Sequence, residues 1–246
     1  MHGRDISILQ IDPELGEGLA REDFAVASRV LIAPEVTLPA GPWEPTDLYG
    51  GQPPAIGLLV IEGLMTREVT VAGRPSTELL GGSDLLRPWD QDGDVGLMPL
   101  DVHWEVLVPT RIAVLDARVL QGVLRWPKLI EALLCRSLRR SRWLAFLLGM
   151  KQIVRIEGRL LVLFWALSER WGHVTPRGVH VRLRLTHEQL GRLVGARRPS
   201  VTTALGSLTS AGLIERVDDG YLLHGDADDA MNRVAGVDSA EPRYTH

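Results

Sequence analysis

Cysteine is almost absent: the 246-residue chain holds one, Cys135. A single thiol excludes a disulfide framework and any zinc or iron–sulfur site built on several thiolates. Cys135 itself reads as a small apolar packing residue. Long apolar runs are missing too. The longest apolar-rich stretch, residues 160–167, is far short of the roughly 20 residues that span a bilayer. The opening segment MHGRDISILQIDPELGEG lacks the apolar core of a signal peptide, so the chain is expected to be cytoplasmic, with no membrane partner. There is no Gly-x-Ser-x-Gly, no phosphate loop and no His-Glu-x-x-His. No catalytic residue is therefore expected, and an enzyme is the least favoured class. His103, His173, His180, His187 and His224 are scattered without metal-ligand spacing. Asp90, Asp92 and Asp94 alternate, but no glutamate stands at the twelfth place from Asp90. An exposed acidic loop is expected there rather than a calcium site. No metal and no resident cofactor are expected.

What is present is ordinary globular material, 45% hydrophobic and 24% charged, with a net charge of -4. That balance excludes a wholly basic nucleic-acid coat and a disordered acidic tail. The charge is divided along the chain. Residues 1–126 carry 9 basic and 19 acidic side chains, a net of -10, whereas residues 127–171 carry 9 and 3, a net of +6. Residues 172–225 carry 7 and 4, a net of +3. An acidic front and a basic rear indicate two modules with different partners, the basic one suited to a polyanion.

Residues 1–24 show no clear period and are expected to form a mobile or loosely docked arm. Residues 25–126 hold short apolar runs at 27–32, 56–61, 64–71, 78–80, 104–108 and 112–115, separated by Gly and Pro. Many short strands with dense turns indicate an all-β sandwich or barrel. Trp43, Trp89 and Trp104 fit either its core or a ligand pocket. Arg87, beside Trp89, is the polar candidate for a ligand contact, giving Arg87, Trp89 and Trp104 as the ligand-binding set.

From Asp116 the pattern turns helical. Pro127 suits the first turn of a long helix over 127–152, where its missing N–H does no harm. Ile130, Leu133, Leu134, Leu138, Leu144, Leu147 and Leu148 recur at helical spacing, with the small Ser137 and Ser141 beside them and Arg136, Arg139, Arg140 and Arg142 on the other faces. A second copy packed along this stripe is expected, with Ile130, Leu133, Leu134, Ser137, Leu138, Ser141, Leu144 and Leu148 at the interface. The alternative is packing within the chain only. Residues 153–158 read as a joint, 160–170 as a helix ended by Gly172, and 180–185 as a strand with one basic face. Residues 226–246 read as a flexible tail.

Residues 185–214 carry the chemistry. Thr186 and Gln189 form a capping-box pattern before Leu190, Leu193 and Val194. Gly195 ends that helix, Ala196-Arg197-Arg198 makes a turn, and Pro199 opens a second helix buried through Val201, Leu205 and Leu208. This is a helix-turn-helix. Residues 214–223 follow as strand, Asp-Asp-Gly turn and strand, which is a wing. In this geometry the start of the second helix enters the major groove. The candidate DNA contacts are Thr186, His187, Arg197, Arg198, Pro199, Ser200, Thr202, Thr203 and Arg216. Arg198 suits a guanine edge, Ser200, Thr202 and Thr203 suit bases or phosphates, and His187 and Arg216 suit phosphates. A helical hairpin without a nucleic-acid partner is the alternative.

These residues, with Gly195-Ala-Arg-Arg-Pro-Ser-Val-Thr-Thr-Ala-Leu205 at their centre, resemble the winged helix-turn-helix of the Crp/Fnr family of bacterial transcription regulators. Gly81-Gly-Ser-Asp-Leu-Leu86 is similar to that family's turn between sensor-barrel strands, and Arg155-Ile-Glu-Gly-Arg-Leu160 to its interdomain joint. The resemblance implies an α+β chain: a jelly-roll β-barrel like a cyclic-nucleotide-binding domain (25–126), a dimerisation helix (127–152) and a winged helix-turn-helix (153–225). It implies a homodimer on palindromic double-stranded DNA, the barrel as sensor of an unknown small-molecule effector or protein partner, and RNA polymerase as a further partner. The family's cyclic-AMP cassette, a Gly-Glu pair followed by Arg-Ser/Thr-Ala, is absent. Asp90, Asp92, Asp94 and Asp101 would repel a phosphate instead, so cyclic AMP is not the expected ligand. The second recognition arginine of cyclic-AMP receptors is replaced by Thr203, leaving only the Arg198 contact to carry over.

Overall fold

The computed structural model describes residues 4–49, 52–91 and 101–239. The chain divides into two compact units, Met1–Trp143 and Leu144–His246. The expected acidic loop, with Asp92, Asp94 and the side chain of Asp90, and tail residues 240–246 lie outside the described residues. No helix among the described residues is long and apolar enough to cross a membrane.

The first unit opens with β1 (Asp5–Ser7), α1 (Ile8–Ile11), a 3-10 turn over Pro13–Gly16 and α2 (Arg21–Val30). Residues 4–24 are therefore no loose arm. β1 pairs with β2 (Ile32–Leu38), and Ile6, Ile8, Leu9 and Leu15 are buried in a core cluster. The apolar run at 27–32, expected as a strand, is mostly the end of α2. Glu22 and Asp23 sit in its first turn, where carboxylates favour a helix N-terminus. The run's branched Ile32 begins the strand that follows.

The sheet continues through β3 (Gly41–Pro42), past the short α3 (Thr46–Tyr49), to β4 (Gly57–Val71), β5 (Arg74–Gly81), β6 (Leu85–Leu86) and β7 (Asp101–Leu115). It is seven-stranded, in the order β1-β2-β7-β4-β5, with β3 on β7 and β6 on β4. Each pair is antiparallel. Two pairs of expected strands fuse. Runs 56–61 and 64–71 are one strand bent at register shifts between Val60 and Met65, and 104–108 and 112–115 are joined across Pro109. Pro109 is tolerated because it falls in the irregular stretch between the Leu64–Val108 and Glu62–Arg111 pairs, where a missing N–H leaves no ladder bond broken. Alternation along β4 then builds two cores. Leu58 and Val60 join Met65, Leu80, Trp104 and Ile112, while Leu59 joins Ala113, Leu115 and the buried N-terminal residues.

Asp116 caps α4 (Ala117–Val123), accepting from the N–H groups of Arg118 and Val119. Pro127 opens α5 (Pro127–Met150). Two of its arginines, Arg136 and Arg140, are paired with carboxylates of the first unit. Arg136, 4% exposed, donates to both carboxylate oxygens of Asp12 at 2.7 and 2.9 Å. Burial pushes the Asp12 carboxyl up from its ordinary range, against the pull of Arg136. Arg140 holds Glu78 of β5 through two bonds of 2.9 Å.

The second unit contains α6 (Ile156–Trp171), β8 (Gly172–Thr175), β9 (Gly178–Val181), α7 (His187–Val194), α8 (Arg198–Ser210), β10 (Ile214–Val217), β11 (Gly220–Leu223) and α9 (Ala227–Ser239). Its four strands run β10-β11-β9-β8. α6 begins before Gly158, which lies in its first helical turn. The expected strand over 180–185 pairs only as far as Val181. Leu183 and Leu185 stay buried and Arg182 and Arg184 exposed, so the alternation persists without a ladder. Residues 227–239 are helical rather than a flexible tail. The carboxylate of Asp226 accepts from the N–H of Asp229, and Ala230 is buried.

Candidate nucleic-acid interface

Thr186 sets the start of α7. Its hydroxyl accepts from the Gln189 N–H at 3.1 Å, and the Gln189 side chain accepts from the Thr186 N–H at 2.8 Å. The capping box read from the sequence is complete. α7 ends on Gly195 at φ 67, ψ 42, the left-handed region where a side chain costs energy. The turn folds back tightly. The Ala196 N–H reaches the Gly191 carbonyl at 2.8 Å, and a Cβ on Gly191 would stand 2.6 Å from the Ala196 carbonyl oxygen. A side chain at 191 would push the turn open. Arg159 braces the same end from α6, donating to the carbonyls of Ile153 and Val194.

α8 then starts with Arg198 and Pro199, and no side chain caps its first turn. Val201, Ala204, Leu205 and Leu208 are buried, leaving Arg197, Arg198, Pro199, Ser200, Thr202 and Thr203 on the exposed side. Among the described residues neither Arg197 nor Arg198 is paired with a carboxylate. Two cations therefore stand unneutralised beside a helix end that itself favours anions. Wing strand β10 contributes Arg216, whose guanidinium lies 6.0 Å from the Tyr221 ring centre. Of its neighbours, Glu215 takes Arg177 in two bonds of 3.0 and 2.8 Å, and Asp219 at the wing turn lies 2.8 Å from His180 and 3.8 Å from Arg182.

His187, expected as a phosphate contact, lies between the wing and α8. Both ring nitrogens are occupied within the chain. Nε2 lies 3.2 Å from Arg216 Nη1, and Nδ1 lies 2.9 Å from Thr202 Oγ1. Burial and then the charges of Arg216 and Arg198 hold its pKa below the ordinary histidine value of 6.5. A neutral imidazole thus links the wing to α8. The fold brings Thr186, His187, Arg198, Thr202 and Arg216 into one connected surface.

The ligand candidates fare differently. Arg87 donates to the carbonyls of Ala55 and Ile56 at 3.2 and 2.6 Å and lies over the Trp89 ring. Its guanidinium serves the local backbone. Trp104 is buried in a core cluster, edge-on to Trp43, and the partly buried Trp43 and Trp89 pack against that cluster. Sequence reading missed the charged group beside them. Arg67 lies 5.9 Å over the Trp104 ring, and Glu78 sits between Arg67 at 3.7 Å and Arg140 at 2.9 Å. The signal was available. Counting back from the Ala72-Gly73 turn places Arg67 opposite Glu78 in a two-residue hairpin.

On α5, Ile130, Leu134, Ser137, Leu138, Ser141, Leu144 and Leu148 are exposed, with Leu134 at 58% and Leu148 at 67%. Leu133 is the exception: it packs against the first unit's own core, because it lies on the flank facing Leu129. Among the described residues no three His, Cys, Asp or Glu side chains are grouped as a metal site.

Residues 154–225 match the family model of the Crp-like helix-turn-helix domain. No curated protein matches the chain's sequence. Among solved structures the chain is similar to a CooA mutant from Carboxydothermus hydrogenoformans, at 16% identity and a TM-score of 0.62 over 93% of this chain and 95% of that one. It is similar to FixK2 from Bradyrhizobium japonicum, at 14% identity and 0.59 over 86% and 100%. The c-di-GMP-responsive global regulator CLP from Xanthomonas campestris gives 17% identity and 0.53 over 83% and 97%. At these identities the likeness is one of fold.

Proposed function

We propose that this chain, a DNA-binding transcription regulator of the Crp/Fnr family, works as a cytoplasmic homodimer that lays the first turns of α8 in the major groove of a palindromic duplex. The observation that carries this reading is the exposed end of α8, where Arg197 and Arg198 stand beside Ser200, Thr202 and Thr203 without carboxylate partners among the described residues. Arg198 is assigned to a guanine edge, where a guanidinium bonds both major-groove acceptors. Ser200, Thr202 and Thr203 face bases or phosphates, and Thr186, Arg197, Pro199 and Arg216 line the backbone.

The dimer forms along the exposed apolar stripe of α5, through Ile130, Leu134, Ser137, Leu138, Ser141, Leu144 and Leu148. Two-fold symmetry in the protein then matches two-fold symmetry in the operator, with recognition helices about 34 Å apart. A ligand or protein at the sheet domain acts by binding one dimer state better than another. RNA polymerase is the downstream partner. Selection of bound duplexes from a random library, with sedimentation of the protein alone, tests the reading. A palindromic consensus and a dimer are expected; no retained sequence at low salt overturns it.

A ligand-independent version is favoured by one specific observation. Glu78 already supplies an anion to Arg67 and Arg140, joining β5 to α5 without any added molecule. Calorimetry against a nucleotide panel separates the versions: no heat, with full DNA affinity, supports the ligand-independent one.

A further inference from the structure

We infer that His187 fixes the hydroxyl of Thr202 so that this side chain presents only a lone pair and a methyl group to the DNA, making the His187–Thr202 pair a specificity determinant. The inference rests on the reading of α8 as the recognition helix.

The argument is one of hydrogen bookkeeping. Arginine only donates, so His187 Nε2, 3.2 Å from Arg216 Nη1, accepts. The ring hydrogen therefore sits on Nδ1, an assignment made from the bonding network. Nδ1–H donates to Thr202 Oγ1 at 2.9 Å. At the other end, the Thr202 hydroxyl donates its own hydrogen to the Arg198 carbonyl at 3.1 Å. Both ends demand the same direction, giving a relay from Arg216 through His187 and Thr202 to Arg198.

Thr202 is exposed on the outer face of α8. A free threonine hydroxyl both donates and accepts and so reads bases ambiguously. Here the hydrogen is committed and one lone pair is used, leaving one acceptor site. A β-branched side chain held at two points also keeps its rotamer. Adenine N6 and cytosine N4 carry hydrogens that such an oxygen accepts, whereas guanine offers only acceptors along this edge. Among the described residues Thr203 and Ser207 make only the local bond to the carbonyl one turn back, at 3.3 and 3.2 Å. Their hydroxyls lack a second side-chain clamp.

The test is library selection with the full-length wild type, His187→Ala, Thr202→Val and Thr202→Ser, each checked for folding by circular dichroism. The wild type is expected to prefer adenine or cytosine at one position of each half-site. That preference should be about threefold to tenfold, the worth of one net hydrogen bond. Thr202→Ser should keep it. Thr202→Val should abolish it, and His187→Ala should flatten it while the Arg198 position stays intact. A guanine preference at the position that Thr202→Val disturbs, or an undiminished preference in His187→Ala, overturns this inference alone. A wild type that selects no sequence overturns the DNA reading and this inference with it.

Discussion

Arg140 of α5 and Glu78 of β5 meet through two bonds of 2.9 Å, with the Glu78 side chain only 4% exposed. A carboxylate at that depth is tolerable only while it is paired, and its second cation, Arg67, is farther away at 3.7 Å. Arg140→Ala removes the closer partner and is expected to lower the unfolding free energy by about 3 kcal/mol, toward the lower end for a broken buried pair. Adding Glu78→Gln should restore part of the loss, because the buried carboxylate is then gone and the amide oxygen still offers Arg67 an acceptor. Urea denaturation of the three proteins checks this. A double variant no more stable than Arg140→Ala would show that the charge is not the cause.

The exposed stripe of α5 gives a prediction about assembly. Leu134 and Leu138 are 58% and 48% exposed on a helix whose opposite face is already buried through Leu129 and Arg136. Leu134→Glu places a charge in the middle of the proposed seam without touching the chain's own core. Sedimentation equilibrium should show a monomer with unchanged helicity. Affinity for a palindromic site should fall about a hundredfold, since the second half-site contact is no longer intramolecular. A persistent dimer would move the interface elsewhere.

The helix-turn-helix was legible because each of its devices is local. Thr186 with Gln189, Gly195 and Pro199 each specify backbone geometry within a few residues, and all appear where the pattern put them. The sheet domain was only coarsely legible. Its strands at 57–71 and 101–115 are continuous because β4 and β7 support one another over almost their full length, a nonlocal fact that turn residues such as Pro109 obscure. The N-terminal segment looked aperiodic because its short elements are fixed by burial of Ile8, Leu9 and Leu15 rather than by their own periodicity. His187 was read as a phosphate contact, without its link to the wing. Its part in the interface depends on Arg216, 29 residues away in sequence, which no local pattern reveals.

Arg198 and Arg216 should fail in different ways. Arg198 is exposed at the first position of α8 and has no carboxylate partner among the described residues. Arg198→Ala is expected to relax specificity at one base pair of each half-site, with a discrimination loss of roughly 1–3 kcal/mol. Arg216 lies on the wing and is assigned to phosphate. Arg216→Ala should weaken binding to every duplex, leave the base preference at the Arg198 position intact, and lower the slope of log K against log salt by about 1 per half-site. Anisotropy titrations at several salt concentrations distinguish them. An Arg198→Ala protein with unaltered base preference would remove that residue from readout.

The pH dependence of DNA binding follows from His187. In the free protein burial, then Arg216 and Arg198, hold its pKa below 6.5. A group held neutral in the fold contributes stability that is present above its unfolded pKa and lost as pH falls through the lower folded one. The wild type should therefore lose more thermal stability than His187→Gln as pH drops below about 6.5, the unperturbed histidine value. DNA reverses the local field. Phosphates beside Arg198 and Arg216 favour the imidazolium, so the complex takes up a proton that the free protein does not hold. Protonation also releases Arg216 from Nε2, since an imidazolium cannot accept, and frees that guanidinium for a phosphate. Binding is expected to tighten as pH falls below about 6.5, relative to His187→Gln measured on the same duplex. The Nδ1–H bond to Thr202 survives protonation, so base preference should stay constant while affinity rises. Equal pH slopes in wild type and variant would show that His187 does not titrate on binding.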